Sequence, residues 1–166
     1  MVLMISPLFL FGCGKNENND SNKNLNNITY TNKFECARED TLTKDQIFYA
    51  TKEEPVNGEK GDAVKVTYSR SYDFDKNGEK LLAYYDITTY DYILDYDMNK
   101  QKAYYENNCK EIDQKTYKSC KIILDNKKIV IISEIDLNSE VAKEYLATVS
   151  LNDVKENYAD TSYTCK

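Results

Sequence analysis

The feature that most constrains the fold is a strand-like alternation between Val64 and Phe74. Large side chains occupy every second position and polar or small residues lie between them, which is the period-2 pattern of a half-buried strand. The large members are Val64, Val66, Tyr68, Arg70, Tyr72 and Phe74. Lys76-Asn77-Gly78 follows and supplies the positive-φ positions of a tight turn. The pattern predicts a β-hairpin with a return arm from Lys80 to about Tyr92, and that arm places on one face Leu81, Ala83, Tyr85, Ile87 and Thr89.

Three further strands are predicted. The first begins near Ile28 and ends around Arg38, and it places Ile28, Tyr30 and Phe34 on one parity. The other two, residues 117–124 and 128–136, flank a short polar turn and include a run of β-branched residues at 129–132. Residues 45–50 fit either a short strand or a turn of helix.

Helical patterns occupy the second half of the chain. One helix is predicted from Asp97 to Ile112, a short one over residues 139–147, and a last one that begins at the capping residue Ser150. This order predicts a single α+β domain over residues 28–166, in which helices pack on one face of an antiparallel β-sheet.

The N-terminal segment has a different character. An apolar run over residues 1–12 contains no charged residue and ends in Leu10-Phe11-Gly12-Cys13, and an Asn-rich segment follows over residues 14–27. Twelve residues are too few to span a bilayer as a helix, which takes about 20, and the polar spacer argues against a buried core segment. The arrangement resembles the lipobox of bacterial lipoproteins. That resemblance implies a signal peptide over residues 1–12, lipidation of Cys13, a flexible tether over residues 13–27, and anchoring to the extracytoplasmic face of the bacterial cell membrane.

A second resemblance concerns the domain itself. The element order, the strand pair that ends in Ile135-Asp136-Leu137 and the terminal segment Ser162-Tyr163-Thr164-Cys165-Lys166 resemble the YehR-like family of small bacterial lipoproteins. The resemblance covers residues 28–166 in element order. It implies an α+β fold and an envelope location, and it carries over no catalytic residue.

The cysteines predict covalent closure of the domain. Apart from Cys13 there are four, and an even number in an exported domain favours two disulfides over four buried free thiols. Of the three possible connectivities we predict Cys36–Cys165 with Cys109–Cys120. A helix that packs back on the following strand can bring the second pair within bonding distance. The first pair would fasten the two ends of the domain together.

Composition excludes several classes of function. The chain contains no histidine, so the commonest general base and the usual imidazole ligand of zinc are both missing. Its formal net charge of −6 makes it a poor partner for nucleic acid. Asp73–Gly78 matches the first half of a calcium loop, but Tyr84 stands where an EF-hand needs glutamate. A second partial match at 95–106 has Lys100 in place of the turn glycine. We therefore expect ordinary turns, with no metal and no cofactor.

Tyrosine offers the remaining hint of a site. Seven of the fifteen tyrosines fall between residues 84 and 105. Tyrosine suits recognition surfaces, so the candidate binding residues are Tyr84, Tyr90, Tyr92 and Tyr96; the alternative is that they fill the core of a chain without tryptophan. The leading hypothesis is a non-catalytic, adhesive or partner-binding envelope lipoprotein with a protein or glycan partner. The alternatives are a small-ligand-binding protein and a carboxylate-dependent hydrolase.

Overall fold

A computed structural model describes residues 32–57, 61–112 and 115–166. The segments assigned to the signal peptide, Cys13 and the tether, together with Ile28 and Tyr30, lie outside the described residues. Within these ranges the elements follow in the order β1 (Asn32–Thr43), α1 (Lys44–Thr51), β2 (Asp62–Phe74), β3 (Leu81–Tyr92), α2 (Met98–Lys110), β4 (Tyr117–Asp125), β5 (Lys128–Ile135), α3 (Glu140–Tyr145), α4 (Leu151–Tyr158) and β6 (Thr164–Cys165). No helix in the described ranges is long and apolar enough to cross a membrane.

The strands form one antiparallel sheet in the order β4-β5-β3-β2-β1-β6. The predicted hairpin is confirmed as the pair β2–β3 at its centre, and Gly78 in its turn has a φ of 73°. The two strands predicted on either side of the polar turn at residues 125–127 are also confirmed, and they form the hairpin β4–β5. The coarse expectation of an α+β fold with an antiparallel sheet is therefore correct.

Two details of the predicted strands are wrong. β1 continues to Thr43, five residues beyond the predicted end, because its polar second half keeps pairing with β2 on one side. In β3, the register shifts so that Phe74 pairs with Leu81 while Asp73 pairs with Ala83. Neighbouring residues of β2 point to opposite faces. Leu81 therefore does not share a face with Ala83, whereas the other predicted members, Ala83, Tyr85, Ile87 and Thr89, share one face as expected.

The helices begin where capping residues predict. Asp97 accepts hydrogen bonds from the backbone N–H groups of Asn99 and Lys100 at the start of α2. Ser150 and Asp153 form a capping box at the start of α4. The ambiguous segment after β1 is the helix α1, which has its own capping box between Thr43 and Gln46.

Two hydrophobic clusters lie on the same face of the sheet, since both use the even-numbered residues of β2. The α2 cluster contains Ile47, Ala63, Val64, Val66, Tyr92, Leu94, Tyr96, Tyr105 and Ile129. The α4 cluster contains Phe34, Cys36, Tyr72, Phe74, Leu81, Val154 and Tyr158. α1 and α2 cover the first cluster, and α4 covers the second.

Both predicted disulfides are present. Cys36–Cys165 joins β1 to β6 across 129 positions of sequence, and Cys109–Cys120 joins α2 to β4 across 11. The hairpin turn is docked on α4, because the backbone N–H of Leu151 donates to the carbonyl of Gly78 at 2.8 Å. A Cβ at Gly78 would crowd that of Leu151 at 3.1 Å, and the positive φ of Gly78 is strained for other residues, so both features favour glycine here.

Candidate functional site

A continuous row of paired residues crosses the sheet between the two hydrophobic clusters. Antiparallel pairing places directly opposed residues on the same face, about 4.5–5.5 Å apart. From β6 to β4, the residues of this row are Cys165, Cys36, Arg70, Asp86, Ser133 and Cys120. A disulfide thus lies at each end of the row, and a charged pair lies at its centre.

The neighbouring row, on the side of the α2 cluster, begins with an arginine. From β1 to β4 it consists of Arg38, Tyr68, Thr88, Ile131 and Ile122. The rows also border the clusters, since Cys36 belongs to the α4 cluster, and Tyr68, Ile122 and Ile131 pack against the α2 cluster. The two rows form the floor of a groove that separates the clusters.

The groove has a volume of about 310 Å³, at the lower end of the range of small-ligand pockets. Its lining is mostly polar and aromatic and comprises Tyr68, Ser69, Arg70, Asp86, Ile87, Thr88, Tyr117, Ile131, Ser133 and Tyr163. Asp86 is the one acidic residue among them. A pair of carboxylates, which the hydrolase alternative needs about 5–10 Å apart, is therefore missing from this lining.

Arg70 lies at the centre of the groove and is held on two sides. Its Nη1 donates to the hydroxyl of Tyr158 at 3.0 Å, and its Nε lies 3.3 Å from Oδ1 of Asp86. Asp86 also accepts a hydrogen bond of 3.1 Å from the hydroxyl of Tyr84. The side chain of Arg70 is 44% exposed, so this fixed guanidinium remains open to a ligand.

Tyrosine hydroxyls beside this pair are kept neutral. Burial, followed by the negative charge of Asp86, raises the pKa of Tyr84 above its ordinary range. Burial and the hydrogen bond with Tyr158 raise the pKa of Tyr72 in the same way. The charges near the centre of the groove at neutral pH are consequently those of Arg70 and Asp86.

Arg38 and Arg70 converge on one aromatic ring, and they are the only arginines in the chain. The guanidinium carbon of Arg38 lies 4.9 Å from the ring centroid of Tyr68 and 5.5 Å from that of Tyr163. The guanidinium carbon of Arg70 lies 5.8 Å from the same Tyr163 ring. These distances are within the range of cation–π contact. Tyr163 therefore orders both arginines.

A second concavity of about 260 Å³ adjoins the groove between α1 and α2. It is lined largely by apolar and aromatic residues, among them Leu42, Ala50, Tyr104 and Ile112. It shares Ile131 and Ser133 with the groove. The charged groove and the apolar concavity therefore adjoin at Ile131 and Ser133.

The four tyrosines predicted as a binding surface do not form one. Tyr92 and Tyr96 are buried in the α2 cluster, with 2% and 7% of their surface exposed, and Tyr90 stacks on Tyr105. Tyr84 is separate from them and stacks on Tyr72 beside the α4 cluster. The packing alternative explains these positions, because alternate tyrosines of β3 face the helices. Of the four, Tyr90 also lines the concavity between α1 and α2, whereas the tyrosines that line the groove are others.

Both calcium-like stretches are used as turns and caps. Oδ1 of Asp75 accepts hydrogen bonds from the backbone N–H groups of Asn77, Glu79 and Lys80, which lower the pKa of the carboxyl group. Asp97 caps α2 as described above. Across the described ranges, no group of three or more acidic or cysteine side chains could hold a metal ion.

Comparison with known proteins adds no further assignment. No protein-family model, no curated protein and no solved structure matches this chain. The fold and the groove define a small disulfide-linked α+β domain with a concave site on its helical face.

Sequence reasoning missed the groove, although a signal existed. Arg70 interrupts the series of large apolar and aromatic residues at every second position of β2. Asp86 interrupts the series at alternate positions of β3 that contains Tyr84, Tyr90 and Tyr92. The one-residue shift between the pairs Phe74–Leu81 and Asp73–Ala83 brings these two interruptions opposite one another. When two paired strands place opposite charges at positions whose side chains face the core, those charges indicate a gap between packed hydrophobic clusters.

Proposed function

We propose that this protein is a lipid-anchored, non-catalytic binding protein on the extracytoplasmic face of a bacterial cell membrane. Its anchor is the lipidated Cys13, residues 1–12 are removed as a signal peptide, and residues 13–27 form the tether. The folded domain recognises its ligand through the groove between the two clusters. The resemblance of the sequence to YehR-like lipoproteins is consistent with this role.

The observation that carries the proposal is the pairing of the cysteines. The chain contains five, and the structure joins four of them as Cys36–Cys165 and Cys109–Cys120. The cysteine left over is Cys13, which follows the apolar run. Disulfides persist in oxidising compartments outside the cytoplasm. The two disulfides therefore support export, and the one unpaired cysteine is available for lipidation.

The chemistry of the groove favours binding over catalysis. Asp86 is paired with Arg70 and accepts a hydrogen bond from Tyr84, so its carboxylate has no free role as a base. The lining holds no second carboxylate and no cysteine. What the groove offers is a fixed set of donors, charges and aromatic faces, which is the equipment of a recognition site.

The anchor is tested by Cys13→Ser, with Asn18→Ser in the spacer as the matched control. The full chain and both variants are expressed in a bacterium with lipoprotein processing, and cell fractions are analysed by intact mass spectrometry. We expect the parent chain and Asn18→Ser to appear in the membrane fraction with a lipidated N-terminus at Cys13. Cys13→Ser should accumulate as a precursor of full length.

Processing at another residue, with release of an unmodified mature chain, would contradict the proposal. So would an N-terminus at Cys13 that carries no lipid.

A further inference from the structure

We propose that the groove and the adjoining α1–α2 concavity together bind a small organic carboxylate with an apolar body. The carboxylate is held between Arg38 and Arg70, and the apolar body extends over Ile131 towards α1 and α2. This inference rests on the proposed binding function and names its ligand class. It joins two cavities that share part of their lining.

The charge of the groove selects a monoanion. In a chain with a net charge of −6, both arginines lie at this one place, and Asp86 offsets one of them. Arg38 forms no ion pair with any residue that the structure describes. The site therefore carries about one unit of uncompensated positive charge. A carboxylate matches it in charge, and its two oxygens match the donor fork of a guanidinium.

The donors needed for such a ligand are available. The contacts of Arg70 to described residues use Nε and Nη1, which leaves the N–H groups of Nη2 for another acceptor. The guanidinium carbon of Arg38 lies within cation–π distance of the rings of Tyr68 and Tyr163. Its side chain makes no hydrogen bond to a described residue, so its N–H groups remain able to donate. Both arginines are held by aromatic rings before any ligand arrives, which reduces the entropy lost on binding.

The apolar half of the ligand follows from the neighbouring concavity. Ile131 lies in the row of Arg38, and Ser133 lies in the row of Arg70. Both residues also line the concavity beneath α1 and α2, where Leu42 and Ile47 contribute apolar surface. An anion bound at the arginines would therefore place any attached ring or short chain beside an apolar wall. A bare inorganic anion would leave that wall unused.

The test uses benzoate as the probe, with benzamide as its uncharged isostere and acetate as the charge without the ring. The full chain is purified in a mild detergent, which keeps both a lipidated and an unlipidated chain in solution, and binding is measured by titration calorimetry against detergent alone. We expect saturable binding of benzoate and affinities at least about 10-fold lower for benzamide and for acetate, because each lacks one half of the recognition.

Variants separate the two halves of the site. Arg38→Gln should weaken benzoate about 10-fold or more, since a hydrogen bond between charged groups is lost. Lys52→Gln is the matched control: Lys52 also lies over two aromatic rings, those of Phe48 and Tyr49, but outside the groove. It should leave affinity unchanged. Ala50→Phe should fill the concavity and weaken benzoate while acetate is unaffected, because Ala50 is an exposed residue of its lining.

Three outcomes would overturn the inference. They are the absence of saturable benzoate binding, equal weakening by Arg38→Gln and Lys52→Gln, and tighter binding of phenyl phosphate than of benzoate, which would assign the site to a phosphate. Circular dichroism checks that each variant is folded. Failure here leaves the Cys13 experiment untouched, whereas a chain that is not lipidated would remove the anchor and leave the groove as it is.

Discussion

The α2 cluster and the α4 cluster lie side by side on one sheet but are held together by different means. The α2 cluster encloses a fully buried polar residue, Gln101, whose side-chain oxygen accepts a 2.8 Å hydrogen bond from Tyr92. The amide nitrogen of Gln101 donates to Thr51 at 3.5 Å, which connects α2 to α1. The α4 cluster encloses a disulfide instead, since Cys36 is completely buried within it.

This difference follows from chain connectivity. The α2 cluster is assembled largely from segments between Ile47 and Ile129, and its disulfide lies at its edge, where Cys109 and Cys120 are both partly exposed. The α4 cluster must bring β1 together with the last helix and β6, which pairs with β1 through only two residues. A strand that short gains little from its ladder. Covalent closure is what holds this end of the sheet.

The largest difference should therefore appear when each disulfide is removed. The matched double variants are Cys36→Ala with Cys165→Ala, and Cys109→Ala with Cys120→Ala. By loop-closure entropy, the first should lose about 5 kcal/mol of unfolding free energy and the second about 3. Urea denaturation followed by circular dichroism measures both. Equal losses, or a greater loss for the short loop, would show that loop length does not set the contrast.

The next comparison is between the losses of stability when one tyrosine hydroxyl is removed from each cluster. Tyr92→Phe leaves the oxygen of the buried Gln101 without its donor and should cost about 1–3 kcal/mol. Tyr72→Phe should cost about 0.5–1.5 kcal/mol, because the hydroxyl of Tyr158 keeps its bond to Arg70 beside the open groove. The free energy of unfolding in urea compares them.

Tyr96→Phe is the control for this pair. The hydroxyl of Tyr96 is buried in the α2 cluster and has no hydrogen-bond partner among the described residues. Its removal should leave the stability unchanged or raise it. A loss of 1 kcal/mol or more for Tyr96→Phe would indicate that the packing of the ring edge, and not the bond to Gln101, explains Tyr92→Phe.

Alkaline pH should lower the free energy of unfolding through tyrosines in both clusters, with a smaller loss for each tyrosine than for the variants above. Burial raises the pKa values of Tyr72, Tyr92 and Tyr105 above that of an unfolded tyrosine, which is about 10. Their contribution to stability is complete below that pH. It is lost as the pH rises towards the folded-state values, by at most about 1.4 kcal/mol per pH unit for each tyrosine. Unfolding free energies measured between pH 8 and pH 11 by urea titration, with tyrosinate absorbance, test this.

A matched comparison assigns the alkaline loss to one residue. Tyr105→Phe removes one titrating group from the α2 cluster, so the slope of stability against pH above 10 should become shallower by about one proton. An unchanged slope would show that Tyr105 ionises equally in the folded and unfolded states.

Much of the fold could be predicted from local signals. The alternation in β2 with the turn at Gly78, and the capping residues Asp97 and Ser150, are short-range features that the structure confirms. The pairing of Cys109 with Cys120 was predictable from the predicted helix and the strand that follows it, and the predicted Cys36–Cys165 pair is present as well.

The candidate site was harder to predict from the sequence, for a physical reason. A period-2 pattern assumes an unbroken pleat, and one extra residue after Leu81 reverses the faces of everything that follows in β3. After this shift, Asp86 lies on the helical face with Tyr84, Tyr90 and Tyr92, and it pairs with Arg70. The contribution of Tyr163 could not be foreseen either, because the predicted Cys36–Cys165 disulfide brings the C-terminal segment to β1 but does not determine that the Tyr163 ring lies beside Arg38 and Arg70.

The bridge between β1 and β6 also determines how the domain would respond to tension. The backbones of Glu35 and Lys166 exchange hydrogen bonds of 3.0 and 2.9 Å, and Cys36–Cys165 lies immediately behind them. A pull applied between the start of β1 and Lys166 would unzip those bonds and then stop at the covalent link. Residues 32–35 would also separate from β2, with which they pair, but the chain between the two cysteines could not be extended. A reductant would remove that limit and expose the whole loop to the applied force.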